Sequence, residues 1–141
     1  MPTFDIEKEN ITAFDLGDTY IFKTYFDEDP IFNQLQKYYN EDKYRFEVPG
    51  SNLKTVEQLL DEYYYKLQAT DDFEDYCVVA EKGTDSSDIL RNSVIRKQRA
   101  QHEIFVMKDE LSVKQAVEQG AERIEKSGIQ EEDLEWKPHR P

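Results

Sequence analysis

"ITAFDLGDTYIFKTYF", residues 11–26, decides the fold class. Two runs rich in β-branched and aromatic residues flank Gly17-Asp18, and a glycine at the first central position is what a type II′ turn prefers. The spacing therefore predicts a hairpin, with strands at about 11–16 and 19–26. An antiparallel pair this early excludes a purely parallel sheet, so the strands and helices that follow are read as parts of a mixed one.

Downstream, Asp29-Pro30 offers an N-cap and a first-turn proline. Ile31, Phe32, Leu35, Tyr38 and Tyr39 then recur at helical spacing for about ten residues. In "KYRFEV" (43–48), Tyr44, Phe46 and Val48 alternate with Lys43, Arg45 and Glu47, the pattern of a half-buried strand that Pro49-Gly50 ends. A helix from about Asn52 carries Leu53, Val56, Leu59, Leu60, Tyr63 and Tyr64 on its apolar side. A short strand at 66–70 and the acidic turn "DDFED" lead to "YCVVAEK" (76–82), whose continuous apolar run predicts a central strand.

Ser86 or Ser87 caps a predicted helix at 87–98, "HEIFVMK" (102–108) is another strand, and the last helix is expected from Glu110 to Ser127. Val113, Ala116, Val117, Gly120, Ala121 and Ile124 form the stripe of that helix, and Gly128 stands at its C-cap. These elements fit a single α+β domain over 1–128, about four helices covering a mixed β-sheet, followed by a polar tail at 129–141. Apolar positions recur at offsets of 57 and 58 residues, Val56 with Val113 and Ile31 with Ile89. They point to a duplicated βαβα arrangement with a pseudo-repeat of 19–65 and 75–127. The alternative is a ferredoxin-like arrangement across 43–107.

The chain's 31 acidic against 18 basic residues give a formal net charge of −13, a field that repels polyanions and disfavours non-specific nucleic-acid or anionic-membrane binding. Such acidity also suits a salt-rich cytoplasm, an inference diluted by the excess of Lys over Arg. Cys77 stands alone, which excludes an intrachain disulfide or thiolate cluster and implies a reducing compartment. "MPTFDIEKEN" lacks the features of a leader, and no run approaches the ~20 apolar residues of a membrane span, so the expected location is cytoplasmic.

Glycines at 17, 50, 83, 120 and 128 are too scattered to cradle a phosphate. His102 and His139 share no helix face at ligand spacing, and the carboxylate runs at 27–29 and 71–75 lack EF-hand spacing. No cofactor, metal site or catalytic group is expected.

What remains is an island of positive charge, "ILRNSVIRKQRAQH" (89–102), with +4 and no carboxylate. On the predicted helix Arg91, Ile95 and Arg99 share the outward stripe, and Lys97 falls at the apolar edge. Arg96, Lys97 and Arg99, in the last turn or just beyond it, would also complement the helix C-terminal dipole. Tyr63, Tyr64 and Tyr65 cannot all face inward from consecutive helical positions, so at least one ring reaches the surface. The candidate contacts are Arg91, Ile95, Arg96, Lys97, Arg99 and His102, with Tyr63, Tyr64 and Tyr65.

The leading expectation is a non-enzymatic protein-interaction or regulatory module, whose partner is another protein or a second copy of the chain. The alternatives are a nucleic-acid or nucleotide-phosphate binder working through 91–102, and a small carboxylate-dependent enzyme.

Overall fold

The computed structural model describes residues 8–26, 29–83 and 85–127. The hairpin forms as β1 (Glu9–Asp15) and β2 (Thr19–Phe22), with Phe14 opposite Ile21. Gly17 has φ +107°, its N–H donates to Asp15 Oδ1 at 2.7 Å, and Leu16 N–H closes the turn on the Thr19 carbonyl at 2.8 Å. The chain continues through α1 (Asp29–Leu35), a 3₁₀ turn at Gln36–Tyr38, β3 (Tyr39–Asn40), β4 (Arg45–Pro49), α2 (Leu53–Glu62) and β5 (Tyr65–Thr70). Beyond a 3₁₀ turn at Glu74–Tyr76 come β6 (Cys77–Glu81), α3 (Ser87–Arg91), β7 (Ser93–Gln98) and β8 (His102–Met107). The last elements are α4 (Glu110–Glu118), β9 (Glu122–Arg123) and α5 (Ile124–Ser127).

The α+β class is what forms, but the strands divide between two sheets rather than sharing one. The first has the order β3-β4-β2-β1-β5, mixed because β1 and β5 are parallel; the second, β7-β8-β6-β9, is antiparallel. Each half runs β-α-β-β-α-β, the succession of a ferredoxin-like unit: β2-α1-β3-β4-α2-β5, then β6-α3-β7-β8-α4-β9. The two strand orders correspond position for position once β1, inserted between β2 and β5, is set aside. The ferredoxin-like sheet anticipated across 43–107 does not form, because β4 and β5 lie in one sheet while β6 and β8 lie in the other.

Two sheets arise because the first hairpin is apolar on both faces. Ile11, Ala13 and Phe22, with Phe46 and Val48 of β4, pack under Ile31 and Leu35 of α1 and Val56 and Leu60 of α2. Phe14 and Ile21 face the other way and are buried against Val94 and Val106 of the second sheet, with Phe73 between them. Phe73 stacks on Phe14 at 5.6 Å and Tyr76 meets the same ring edge-on at 5.2 Å, so the "DDFED" turn carries aromatic anchors into the space between the sheets. On the far face of the second sheet, Val78, Phe105 and Met107 pack against Ile89, Val113 and Ala116. The layers run helix, sheet, sheet, helix.

Two predicted helices are corrected. The segment 87–98 is helical only to Arg91. Asn92 caps the turn, and the β-branched pair Val94-Ile95 enters β7, where pairing with β8 outweighs the helical spacing of Ile89, Leu90 and Val94. The last helix stops at Glu118, not Ser127. Gly120 is left-handed at φ +107°, its N–H donates to the Val117 carbonyl at 3.1 Å, and Ala121 N–H donates to Ala116 at 3.0 Å, a Schellman cap. Val117, placed on the buried stripe, is 42% exposed.

In β4, Arg45 rather than Tyr44 is buried. The second sheet covers the face on which Arg45 was expected to meet solvent. Gly128, the tail at 129–141 with His139, and Asp27 and Glu28 of the first carboxylate run lie outside the described residues.

Candidate functional site: a cationic cavity between the sheets

A cavity of about 840 Å³ opens where the two sheets diverge. Four segments build it, the β1–β2 turn supplying Leu16. The chain leaving β2 supplies Lys23 and Tyr25. The turn between β3 and β4 supplies Tyr39, Asp42, Lys43, Tyr44 and Arg45. The end of α3 and the start of β7 supply Leu90, Arg91, Val94, Ile95 and Arg96.

Local rules fix each wall. Asn40 Oδ1 accepts from the N–H groups of Asp42 and Lys43 at 3.0 and 3.1 Å, an Asx turn that tightens the hairpin. The chain then passes through a left-handed Tyr44 (φ +54°), a residue that is 66% exposed. Across the cavity the pairing of β7 with β8 shifts between Ser93 and Ile95, so Val94 is the extra residue of a bulge. Its carbonyl accepts from Arg45 Nη1 at 2.7 Å. The Arg91 carbonyl accepts from both Lys23 Nζ at 3.1 Å and the Tyr25 hydroxyl at 2.6 Å. Cationic and phenolic groups of the first sheet thus hold the backbone of the second.

The floor is electrostatically unusual. Lys23 and Arg45 are 7% and 8% exposed. Burial, then the Arg45 charge and then Lys108, push Lys23 down from 10.5 to about 8. Burial also lowers Arg45, opposed by Glu47, whose carboxylate stands 3.7 Å from Nε, beyond hydrogen-bond reach. The Arg45 Nε–H is buried and has no hydrogen-bond partner among the described residues. Among the described residues Lys23 has a carbonyl acceptor and no ion-pair carboxylate.

At the mouth, burial raises Tyr25, with a further rise from Tyr39, and Arg91 opposes both. Burial likewise raises Tyr39, with Tyr44 and Glu41 adding to it. Tyr39 thus stands within electrostatic reach of Tyr25 on one side and Tyr44 on the other.

Of the residues singled out from the sequence, Arg91, Ile95 and Arg96 line this cavity together. Arg96 Nη2 is held by Glu103 Oε1 at 2.6 Å, and that bond, opposed by burial and helped by Ser86, keeps the Glu103 carboxyl below the usual range. Lys97, further along β7, is not part of the cavity wall. Arg99 lies in the β7–β8 turn, where its N–H donates to the His102 carbonyl at 2.8 Å, and His102 stands opposite Glu81. Tyr63, Tyr64 and Tyr65 sit at the α2–β5 turn, away from the cavity. Tyr63 Oη accepts from Gln34 at 3.1 Å, Tyr64 is exposed at φ +66°, and Tyr65 meets Phe26 edge-on at 5.3 Å.

Sequence reasoning missed Lys23, Tyr25, Tyr39, Tyr44 and Arg45. One signal was present: Lys23 follows Ile21 and Phe22, which are apolar on successive positions, so both faces of that strand are covered and a lysine there has no solvent face.

No family model, no curated protein and no solved structure matches the chain. Fold and site therefore define it only as an α+β protein of two facing sheets with a cationic cavity between them. Among the described residues no helix is long and apolar enough to cross a membrane, and no group of three metal-ligating side chains converges.

Proposed function

We propose that the protein is a non-catalytic interaction module that takes an anionic group of its ligand into the cavity between the sheets. One observation carries this reading: two buried cations, Lys23 and Arg45, form the floor of an open cavity in a chain of net charge −13. Burying charge is unfavourable unless it is paired; among the described residues Lys23 has no carboxylate partner, and its lowering is the signature of that cost. A bound anion relieves it and supplies an acceptor for the Arg45 Nε–H. A concave site suits one inserted group better than a broad face-to-face contact, and the acidic remainder of the surface disfavours a long polyanion.

The test is a calorimetric titration of inorganic phosphate into the wild type, Arg91→Glu and Arg99→Glu. Arg91 lines the cavity and Arg99 does not. At least a tenfold loss for Arg91→Glu with a change within twofold for Arg99→Glu is the expected result. Equal losses in both would reduce the effect to a general field, and no binding by the folded wild type would sink the proposal.

A further inference from the structure

We propose that the occupant of this cavity is a nucleoside 5′-monophosphate, its phosphate held by Lys23, Arg45 and Arg91 and its base laid against Tyr44 at the mouth. This inference rests on the anion-binding reading above and adds the chemical class of the ligand.

Charge selects the head group. Arg45 is partly balanced by Glu47, Arg96 is paired with Glu103, and Lys43 lies beside Asp42 on the rim. Lys23, Lys43 and Arg91 are left, among the described residues, without an ion-pair carboxylate, and Asp42 on the same wall offsets one of these three charges. A net of two positive charges matches a phosphomonoester, which carries close to two negative charges at neutral pH and three acceptor oxygens. A monocarboxylate leaves one of them unanswered. Arginine beside lysine also suits phosphate geometry, with the guanidinium offering a fork and the ammonium a point charge.

The rest of the cavity selects a planar ring. Tyr39 is fixed edge-on by Phe46 at 5.0 Å and Phe32 at 5.7 Å, and Tyr25 is tied by its hydroxyl to the Arg91 carbonyl. Tyr44 stands exposed beside them, its backbone held left-handed by the turn, and an exposed ring at the mouth offers an aromatic surface to a planar ligand. Leu90 and Ile95 give the opposite wall an apolar surface. Among the described residues Asp42 is the single carboxylate of the cavity wall. In an anion-binding site a carboxylate repels the head group unless it serves a neutral donor, and ribose hydroxyls are such donors. About 840 Å³ accommodates one nucleotide.

The experiment titrates the full chain with the four nucleoside 5′-monophosphates, adenosine, inorganic phosphate and phosphotyrosine. Tyr44→Asn removes the ring while keeping a residue that tolerates the left-handed backbone. The tightest nucleotide is expected to bind at least about tenfold better than inorganic phosphate, the scale of one base–aromatic stack, and adenosine far more weakly. Tyr44→Asn should erase most of that advantage and leave phosphate affinity unchanged, while Asp42→Asn should strengthen phosphate and weaken the nucleotide.

If phosphate binds as tightly as every nucleotide and still depends on Arg91, the nucleotide assignment fails and the anion-binding reading stands. Phosphotyrosine binding tighter than all four nucleotides would overturn the assignment in favour of a phosphorylated protein partner. Failure of every probe with the folded wild type would remove both readings.

Discussion

Replacing Lys23 by methionine should make the protein more stable while destroying its proposed function. The structure supplies the magnitude. A shift from 10.5 to about 8 corresponds to about 3 kcal/mol at ~1.4 kcal/mol per pH unit. Because the cavity opens to solvent, screening reduces the cost of holding the charge to about 2 kcal/mol. Methionine follows the aliphatic stem of lysine and gives up one hydrogen bond, worth about 1 kcal/mol. The Arg91 carbonyl left behind still accepts from Tyr25 at 2.6 Å.

The net gain is about 1 kcal/mol near neutral pH, or about 3 °C in Tm for a chain of this size. Its pH dependence identifies the cause. Below pH 8 the lysine is charged in both the folded and the unfolded chain, and the cost is complete. Between about 8 and 10.5 the folded chain has released a proton that the unfolded chain keeps, so wild-type stability rises with pH. The advantage of Lys23→Met should therefore shrink across that window and turn, above it, into a deficit of about 1 kcal/mol, the lost hydrogen bond. Urea denaturation of both proteins from pH 7 to 11 measures the difference. A methionine variant less stable than the wild type at pH 7, or a gap that stays constant to pH 11, would refute the description of Lys23 as an uncompensated buried cation.

Asp109 caps α4 by accepting the Ser112 N–H at 2.7 Å, so Asp109→Ala should lower stability by about 1 kcal/mol in denaturant titrations. Gly120→Ala forces a side chain into φ +107° and should cost about 1 kcal/mol or more, whereas Gln119→Ala, next to it and exposed, should stay within about half a kcal/mol. Cys77 is 1% exposed in β6, so thiol reagents should modify it slowly in the native protein and rapidly in denaturant.

The strand–turn chemistry of Gly17-Asp18, the helical spacing of Val56 and Leu60, and the apolar runs of β6 and β8 were legible in the sequence because each is a local rule obeyed locally. The α3–β7 segment was not. Its apolar residues fit helical spacing as well as a strand, and what decides between them is the pairing of Ile95 with Val106, a partner supplied by the fold. The division into two sheets was half-visible: Ile21 and Phe22 show that β2 is covered on both faces, but not by what.

The site was the least legible part, for a physical reason. Alternation in "KYRFEV" marks Arg45 as polar and Phe46 as apolar, and a face bonded to another sheet carries the same polar pattern as a face in water. Arg91 and Arg96 stood out by charge, while Lys23 and Arg45, from the other half of the chain, became their neighbours only when the sheets closed on each other.

The most direct test of the account is the titration of the Lys23 side chain itself, followed by NMR of the labelled ε-carbon with and without saturating phosphate. Without the anion, the midpoint should lie near 8. With an anion seated on the floor of the cavity, the charged amine gains the counter-ion it lacks, and the midpoint should rise by about one unit or more. A midpoint that phosphate leaves unmoved, in a protein shown to bind it, would place the anion elsewhere and contradict the central claim.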